Sequence, residues 1–330
     1  MSAPSEWSFG EPQKLTFDEP VSTLHVRIVD GTVNVVGTDG GPARLELSAI
    51  EGPPLKVTLH DGTLSVAYDD LPWKGLLKWL DRKGWNRKVH VTLAVPAETA
   101  ASIGVVNASA VASGLGGRTD LRGVTGDATL VGLTGPVRAD TVSGRVEAQA
   151  VTGDLRFNSV SGDLTVIEGS GPVVKADSVS GNMVLDLAPA CAAKRADISL
   201  TTVSGEIAIR LPHPADARIE ANTASGPVSN AFEDLRVTGQ WGAKRITGNL
   251  GSGLGSLKAT TVSGAIALLR RPPADEDGDG DDFAEGTPGD GPDSTTDSTP
   301  DSPADSTGST GDTGSTGSTG STGGSQGKVL

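Results

Sequence analysis

GDATLVGLT (126–134), GPVRADTVS (135–143), GRVEAQAVT (144–152), GDLRFNSVS (153–161), GDLTVIEGS (162–170) and GPVVKADSVS (171–180) are consecutive, and their reading decides the fold. Glycine recurs every nine residues at 117, 126, 135, 144, 153, 162 and 171, then at Gly181 after one inserted residue. The second and fourth residues after each glycine are apolar, as in Ala128 and Leu130, Val137 and Ala139, Val146 and Ala148, Leu155 and Phe157, Leu164 and Val166. Alternation with period two predicts a half-buried strand rather than a helix. The seventh position is apolar again (Leu133, Val142, Val151, Val160), and the eighth is usually Ser or Thr. A hydroxyl residue before glycine is turn chemistry, because glycine accepts a positive φ without a Cβ clash and the hydroxyl can bond nearby backbone. Each unit is therefore expected to be one short strand and one tight corner, with Gly126, Gly135, Gly144, Gly153, Gly162, Gly171 and Gly181 as structural turns.

One such strand cannot enclose a core, but stacked units bury a continuous one. At a doubled period of eighteen, Asp127, Arg145, Asp163 and Asn182 alternate with Pro136, Asp154 and Pro172, which makes two half-units the two sides of one coil. The same periodicity fits an antiparallel meander with Val-Ser-Gly-Asp as a hairpin turn; the solenoid is the favoured reading. After Met183, Leu185 and Leu187 comes an insertion, Ala188 to Ala196, before ISLTTVSGEIAIRL (198–211) restores the pattern at Gly205. Further Ser-Gly corners stand at Gly226 and Gly264, the latter in LKATTVSGAIALLRR (257–271). Upstream, alternating runs such as Leu24, Val26, Ile28 and Val89, Val91, Leu93, Val95 predict a longer-stranded portion that caps the first coil. The expected fold is all-β, a single-chain β-solenoid on nine-residue strand-turn units. Its expected organisation is a flexible 1–13, a β-strand-repeat domain over 14–271 (N-terminal portion 14–100, solenoid 101–271) and a disordered acidic tail over 272–330.

The tail carries thirteen acidic residues against Lys328 alone, so it holds nearly all of the chain's net charge of −14. Its Ser/Thr/Gly/Asp composition cannot bury enough apolar surface to offset the entropy of ordering. Cys191 is the only cysteine, which excludes an intramolecular disulfide and any cysteine-built metal site. The opening MSAPSEWSFGEPQKL has neither a basic flank nor an apolar run of signal-peptide type, and no stretch reaches the roughly 20 apolar residues of a membrane span. A cytoplasmic location, peripheral at the inner face of the membrane, is the expectation.

One segment stands apart, LPWKGLLKWLDRKGWNRK (71–88), with six basic residues against Asp81. Trp73, Leu76, Leu77 and Leu80 have i, i+3, i+4, i+7 spacing and share a helical face, with Lys74, Lys78 and Arg82 on another flank, and Trp79, Lys83 and Trp85 completing the cluster. A basic amphipathic stretch with interfacial tryptophans suits an anionic membrane surface or a protein partner. It equally suits a cap over the open end of the solenoid, covering strand edges that would otherwise pair with other chains. Gly75 and Gly84 weaken the helix by about 1 kcal/mol each relative to alanine. Nucleic acid is not expected, because the cluster is short and the acidic tail would compete for it.

No nucleophile–base pair, paired carboxylates or metal-ligand spacing is evident. His25, His60, His90 and His213 are far apart in sequence, with His25 and His90 in strand runs on the solvent side. Gly-Asp pairs suggest a calcium β-roll, but Asp127, Asp154 and Asp163 are interrupted by Arg145, Pro136 and Pro172, so neither metal nor cofactor is expected.

Three features together give a resemblance: repeated Thr-Val-Ser-Gly and Val-Ser-Gly-Asp corners, VTLAVPAETAAS (91–102) entering the repeat, and GSGLGSLKATTVSGAIALLRR (251–271) closing it. Over about residues 14 to 271 the chain resembles the bacterial family of β-strand-repeat, adhesin-type proteins, a domain family of unknown function also called Toastrack-like. That resemblance implies a β-solenoid without known catalysis, sometimes encoded beside envelope or membrane-stress components. The expected function is a non-catalytic structural or interaction module. The alternative is a ligand-binding protein or enzyme with a pocket near 188–211.

Overall fold

The computed structural model describes residues 5–68, 87–189 and 195–272. They form twenty-four β-strands, β1 to β24 in chain order. Between β9 (Thr119–Thr125) and β18 (Ile207–Leu211) every partner strand is parallel. Ala128 of β10 (Ala128–Val131) pairs with Val146 of β12 (Arg145–Gln149), eighteen residues on, and Val137 of β11 (Val137–Thr141) pairs likewise with Leu155 of β13 (Leu155–Ser159). Parallel pairing at twice the sequence repeat is the signature of a two-sided coil; a meander would pair antiparallel neighbours.

Odd-numbered strands from β9 to β17 (Asp197–Thr201) build a first wall, and even-numbered strands from β10 to β18 a second. The walls face each other across a dry core. On the first, Leu121, Ala139, Phe157, Ala176, Leu200 and Ala259 stack in register, large residues alternating with alanine; on the second, Leu130, Ala148, Val166, Leu185, Ile209 and Leu268 do so, all buried. Such alternation lets neighbouring coils interdigitate at interior packing density.

At the N-terminal end, β3 (Thr23–Thr38) and β8 (Ala100–Ser113) each run through the corner, contributing to both walls. The portion expected to cap the first coil extends both walls. β6 (Thr63–Ala67) and β7 (Lys88–Pro96) add a parallel coil beside β3. Beyond it β5 (Leu55–His60) and β1 (Ser5–Phe9) continue the first wall antiparallel, and β4 (Ala43–Glu51) and β2 (Gln13–Phe17) the second.

Coil order departs from chain order at both ends. β3 lies between the later β6–β7 coil and β8. The last coil, β23 (Gly255–Thr261) with β24 (Ile266–Arg270), inserts between β17–β18 and the earlier β19 (Ala217–Thr223) and β20 (Val228–Asn230). Past β19, the antiparallel β22 (Ala243–Leu250) and β21 (Arg236–Gln240) lengthen the first wall, and Phe232 and Leu235 close the core beneath them.

The glycines hold the stack together by having no side chain. A Cβ on Gly162 would lie 2.5 Å from the Gly144 carbonyl oxygen, one on Gly181 1.9 Å from that of Gly162, and ones on Gly264 and Gly226 1.8 Å from those of Gly205 and Gly264. At the opposite corner Gly135, Gly153 and Gly171 approach carbonyls of the preceding coil to between 2.0 and 2.2 Å in the same sense. Positive φ, the reason expected from sequence, applies among these only to Gly126 (φ 106) and Gly144 (φ 101). Close backbone approach is the general cause, and φ a local one.

Candidate functional site: the valine corner

The chain turns from first wall to second through a four-residue corner: Thr141 to Gly144, Ser159 to Gly162, Ser178 to Gly181, Thr202 to Gly205, Thr261 to Gly264 and, with alanine replacing valine, Thr223 to Gly226. In most of them the first hydroxyl oxygen accepts the N–H of the glycine three residues on, at 2.7 Å for Ser159 and 3.1 Å for Thr261. That bond bends the chain and satisfies a donor that would otherwise be buried unpaired. The serine before glycine reaches the previous coil: Ser143 donates to the Val124 carbonyl and Ser161 to that of Val142. With both hydroxyls turned to backbone, the residue between them has only solvent to face.

That residue is valine in coil after coil. Val142, Val160, Val179, Val203 and Val262 are each between 41% and 52% exposed. Backbone bonds from Ser161 N to Val142 O, Ser180 N to Val160 O, Ser204 N to Val179 O and Ser263 N to Val203 O hold them in one file along the solenoid. Adjacent rungs are about 4.8 Å apart, so the file is a continuous apolar ridge. At the opposite corner the matching positions, Leu133 and Val151, are buried. There the preceding residue is left-handed, with φ 61 at Gly132 before Leu133 and 52 at Ala150 before Val151, which goes with an inward apolar side chain; Glu168, at φ 54, precedes Gly169 instead.

Beside the ridge lies an open groove of about 400 Å³. Val105, Gly123, Thr141 and Ser159 line it, Gly123 standing in register with Thr141. Val124, Val142 and Val160 form one bank; the last outward residues of the first wall, Arg122, Asp140 and Asn158, form the other. Burial raises the Asp140 carboxyl, but hydrogen bonds from Arg138 (2.8 Å) and Asn158 (2.7 Å), with the charges of Arg138 and Arg122, outweigh it and leave Asp140 below the usual range. The groove thus pairs an apolar bank with a bank of fixed charges.

The remaining sequence-derived sites fall as follows. Trp73, Lys74, Leu76, Leu77, Lys78, Trp79, Leu80, Arg82, Lys83 and Trp85 lie outside the described residues, as does the acidic tail from 273 onward. The flanks are described: Arg87 sits 5.4 Å over the Tyr68 ring and Lys88 opens β7. The candidate pocket near 188–211 is described except for 190–194, and there a cavity of about 30 Å³ by Leu187, Ile198 and Leu211 is little more than water-sized. An open depression of about 420 Å³ beside it is lined chiefly by Pro189, Pro212, Pro214 and Ala215. Asp140, Asp186, Asp216 and Glu220 are the carboxylates with shifted pKa among the described residues, and all are lowered, held as anions by hydrogen bonds and cations. His25 and His90 take outward positions in β3 and β7, both half-buried; burial and then Arg27 push His25 down. Among the described residues no three His, Cys, Asp or Glu side chains gather as a metal site, and no helix is long and apolar enough to cross a membrane.

Sequence reasoning missed Trp241, which is 96% exposed at the tip of the β21–β22 hairpin. Its signal was the Gln-Trp-Gly-Ala turn, in which Trp241 and Gly242 both have positive φ, the pattern of a two-residue hairpin turn.

The family model described as Toastrack DUF4097 matches residues 22–269, and the chain belongs to that family. Solved structures similar to it include a candidate adhesin from Bacteroides fragilis (13% identity, TM-score 0.40, covering 80% of this chain and 98% of that one). Others are a candidate lipid-binding protein from Parabacteroides distasonis (10%, 0.35, 80% and 98%) and a candidate cell adhesion protein from Clostridium sporogenes (12%, 0.25, 79% and 100%). No curated protein matches the sequence.

Proposed function

We propose that this protein is a non-catalytic interaction module, a stiff β-solenoid that docks a protein or envelope partner along its valine corner. The observation that carries this reading is the file of half-exposed valines from Val142 to Val262. Single exposed apolar residues need no explanation, whereas a contiguous stripe rimmed by polar groups marks an interaction surface. Covering the exposed halves of these valines would contribute on the order of 5 kcal/mol. After the cost of association, that supports a transient complex.

A photo-crosslinking amino acid at position 160, compared with one at position 147 on the second wall, tests the reading in the native cell. A defined adduct is expected from 160, lost when Val142→Asp and Val179→Asp are added. Indistinguishable patterns from 160 and 147 would sink it.

Peripheral membrane docking by Leu71–Lys88, on the cytoplasmic side, is a second reading supported by that segment's basic charge and three tryptophans. Flotation with anionic liposomes at low salt, wild type against Trp79→Ala with Lys78→Glu, checks it; wild-type protein that stays at the bottom removes it.

A further inference from the structure

Strand β21 is bonded to β22 on one side, and among the described residues no strand lies on its other side. All five of its residues are exposed, Val237 by 48%. A bare edge of this kind is a template for another strand, and natural proteins usually blunt it with proline, a bulge or extreme shortness. Here β21 has neither proline nor bulge, and Arg236 at its first position is its one charged side chain. The second wall ends at β20, level with β19, so β22 and β21 overhang it.

The hairpin geometry fixes which groups face outward. The turn Trp241-Gly242 is closed by the pair Gln240 and Ala243. In a two-residue hairpin that closing pair is hydrogen-bonded, and bonded pairs alternate along the strands. Arg236, Thr238 and Gln240 are therefore bonded to β22, and the N–H and C=O groups of Val237 and Gly239 point to the open edge.

We propose that the protein self-associates as a two-fold dimer in which β21 pairs antiparallel with β21 of a second copy, centred on Thr238. Val237 then exchanges both backbone hydrogen bonds with Gly239 of the other copy, and the two Thr238 residues meet on the axis. Arg236 faces Gln240 instead of another arginine. Because alternate residues share a face, Trp241 of one copy comes diagonal to Val237 of the other, within reach of an aromatic side chain. Gly239, with no side chain, leaves the space the indole needs. Asp234 and Glu233 come beside the other copy's turn, near Lys244, so opposite charges are apposed. The interface is isologous and closed, and it joins the two first walls into one sheet. This surface is distinct from the valine corner, and either can fail alone.

Sedimentation of the full chain from about 1 to about 300 μM tests the pairing, with an expected dissociation constant on the order of 10 μM for so small an interface. Trp241→Ser should weaken dimerisation at least tenfold. Val237→Pro, which removes an outward N–H that β22 does not use, should abolish it, with the thermal melt of either dilute variant unchanged. Thr238→Cys in a Cys191→Ser background should oxidise to a covalent dimer, since facing non-bonded pairs are close enough for a disulfide. A wild type monomeric throughout the range, or a dimer indifferent to both surface variants, would overturn the proposal.

Discussion

A Cβ built on Gly205 would sit 1.8 Å from the carbonyl oxygen of Gly181, one coil away. No rotamer relieves such a contact, because both partners are backbone. Gly205→Ala is expected to destabilise the fold by roughly 3–5 kcal/mol, measured by urea denaturation. Gly10→Ala, whose Cβ would meet nothing within 4 Å, is the neutral comparison.

Phe157 is 1% exposed and lies in register between Ala139 and Ala176. Neither alanine can reach into the space a smaller residue would leave. Phe157→Ala should therefore cost about 3–5 kcal/mol, and Phe157→Leu, which leaves a smaller void, distinctly less. Chemical denaturation of the two variants side by side shows whether the loss follows the size of the void.

Ala150 is held at φ 52, in line with Gly132 at φ 61. A left-handed residue with a side chain costs about 1–2 kcal/mol, of which part returns as lower unfolded-state entropy than glycine has. Ala150→Gly should stabilise the protein by about 0.5–1 kcal/mol, a rise in melting temperature that calorimetry would register.

Asp186 receives Arg210 Nε at 2.8 Å, a second bond from the same guanidinium, and Arg271 at 3.4 Å. These partners, Arg210 first, hold its carboxyl below the ordinary range despite burial. Since the folded value lies below the unfolded one, the stabilisation is complete above about pH 4 and is lost as pH falls through the folded value. Asp186→Asn should cost about 2 kcal/mol at neutral pH. The gap from wild type should close in strong acid, which denaturation at a series of pH values would show.

Thr261 accepts the Gly264 N–H at 3.1 Å and points its hydroxyl at the Gly205 carbonyl at 3.3 Å. Thr261→Val keeps the shape and strands both groups, at an expected cost of about 1–2 kcal/mol. Urea titration checks it, with Thr261→Ser as the variant that should recover most of the loss.

The nine-residue glycine spacing and the alternation of Leu155, Phe157, Leu164 and Val166 made the solenoid and its core legible in the sequence, because those positions answer to burial alone. The valine ridge was not legible. Val142-Ser143-Gly144 and Val151-Thr152-Gly153 spell nearly the same letters, yet one valine faces water and the other the core. What separates them is one residue earlier: Thr141 is still extended, the last residue of β11, whereas Ala150 is left-handed at φ 52. Nor does the sequence tell that β23 and β24 enter beneath β19 and β20, since every Thr-Val-Ser-Gly corner offers the same edge to a neighbour. The attribution of the glycines to φ failed for most of them, because strand-to-strand approach is a property of the stack and leaves no local mark.

The placement of β23 between β17 and β19, and of β24 between β18 and β20, carries a consequence for how the protein is made. On the ribosome, the segment from Ala217 to Leu250 emerges before the strands it must rest upon, so nothing beyond β18 can seat permanently until synthesis has passed Arg270. Assembly of that half is in this sense post-translational, and a chain stopped short of residue 255 would present two unsatisfied strand faces to whatever chaperone or protease reached it first.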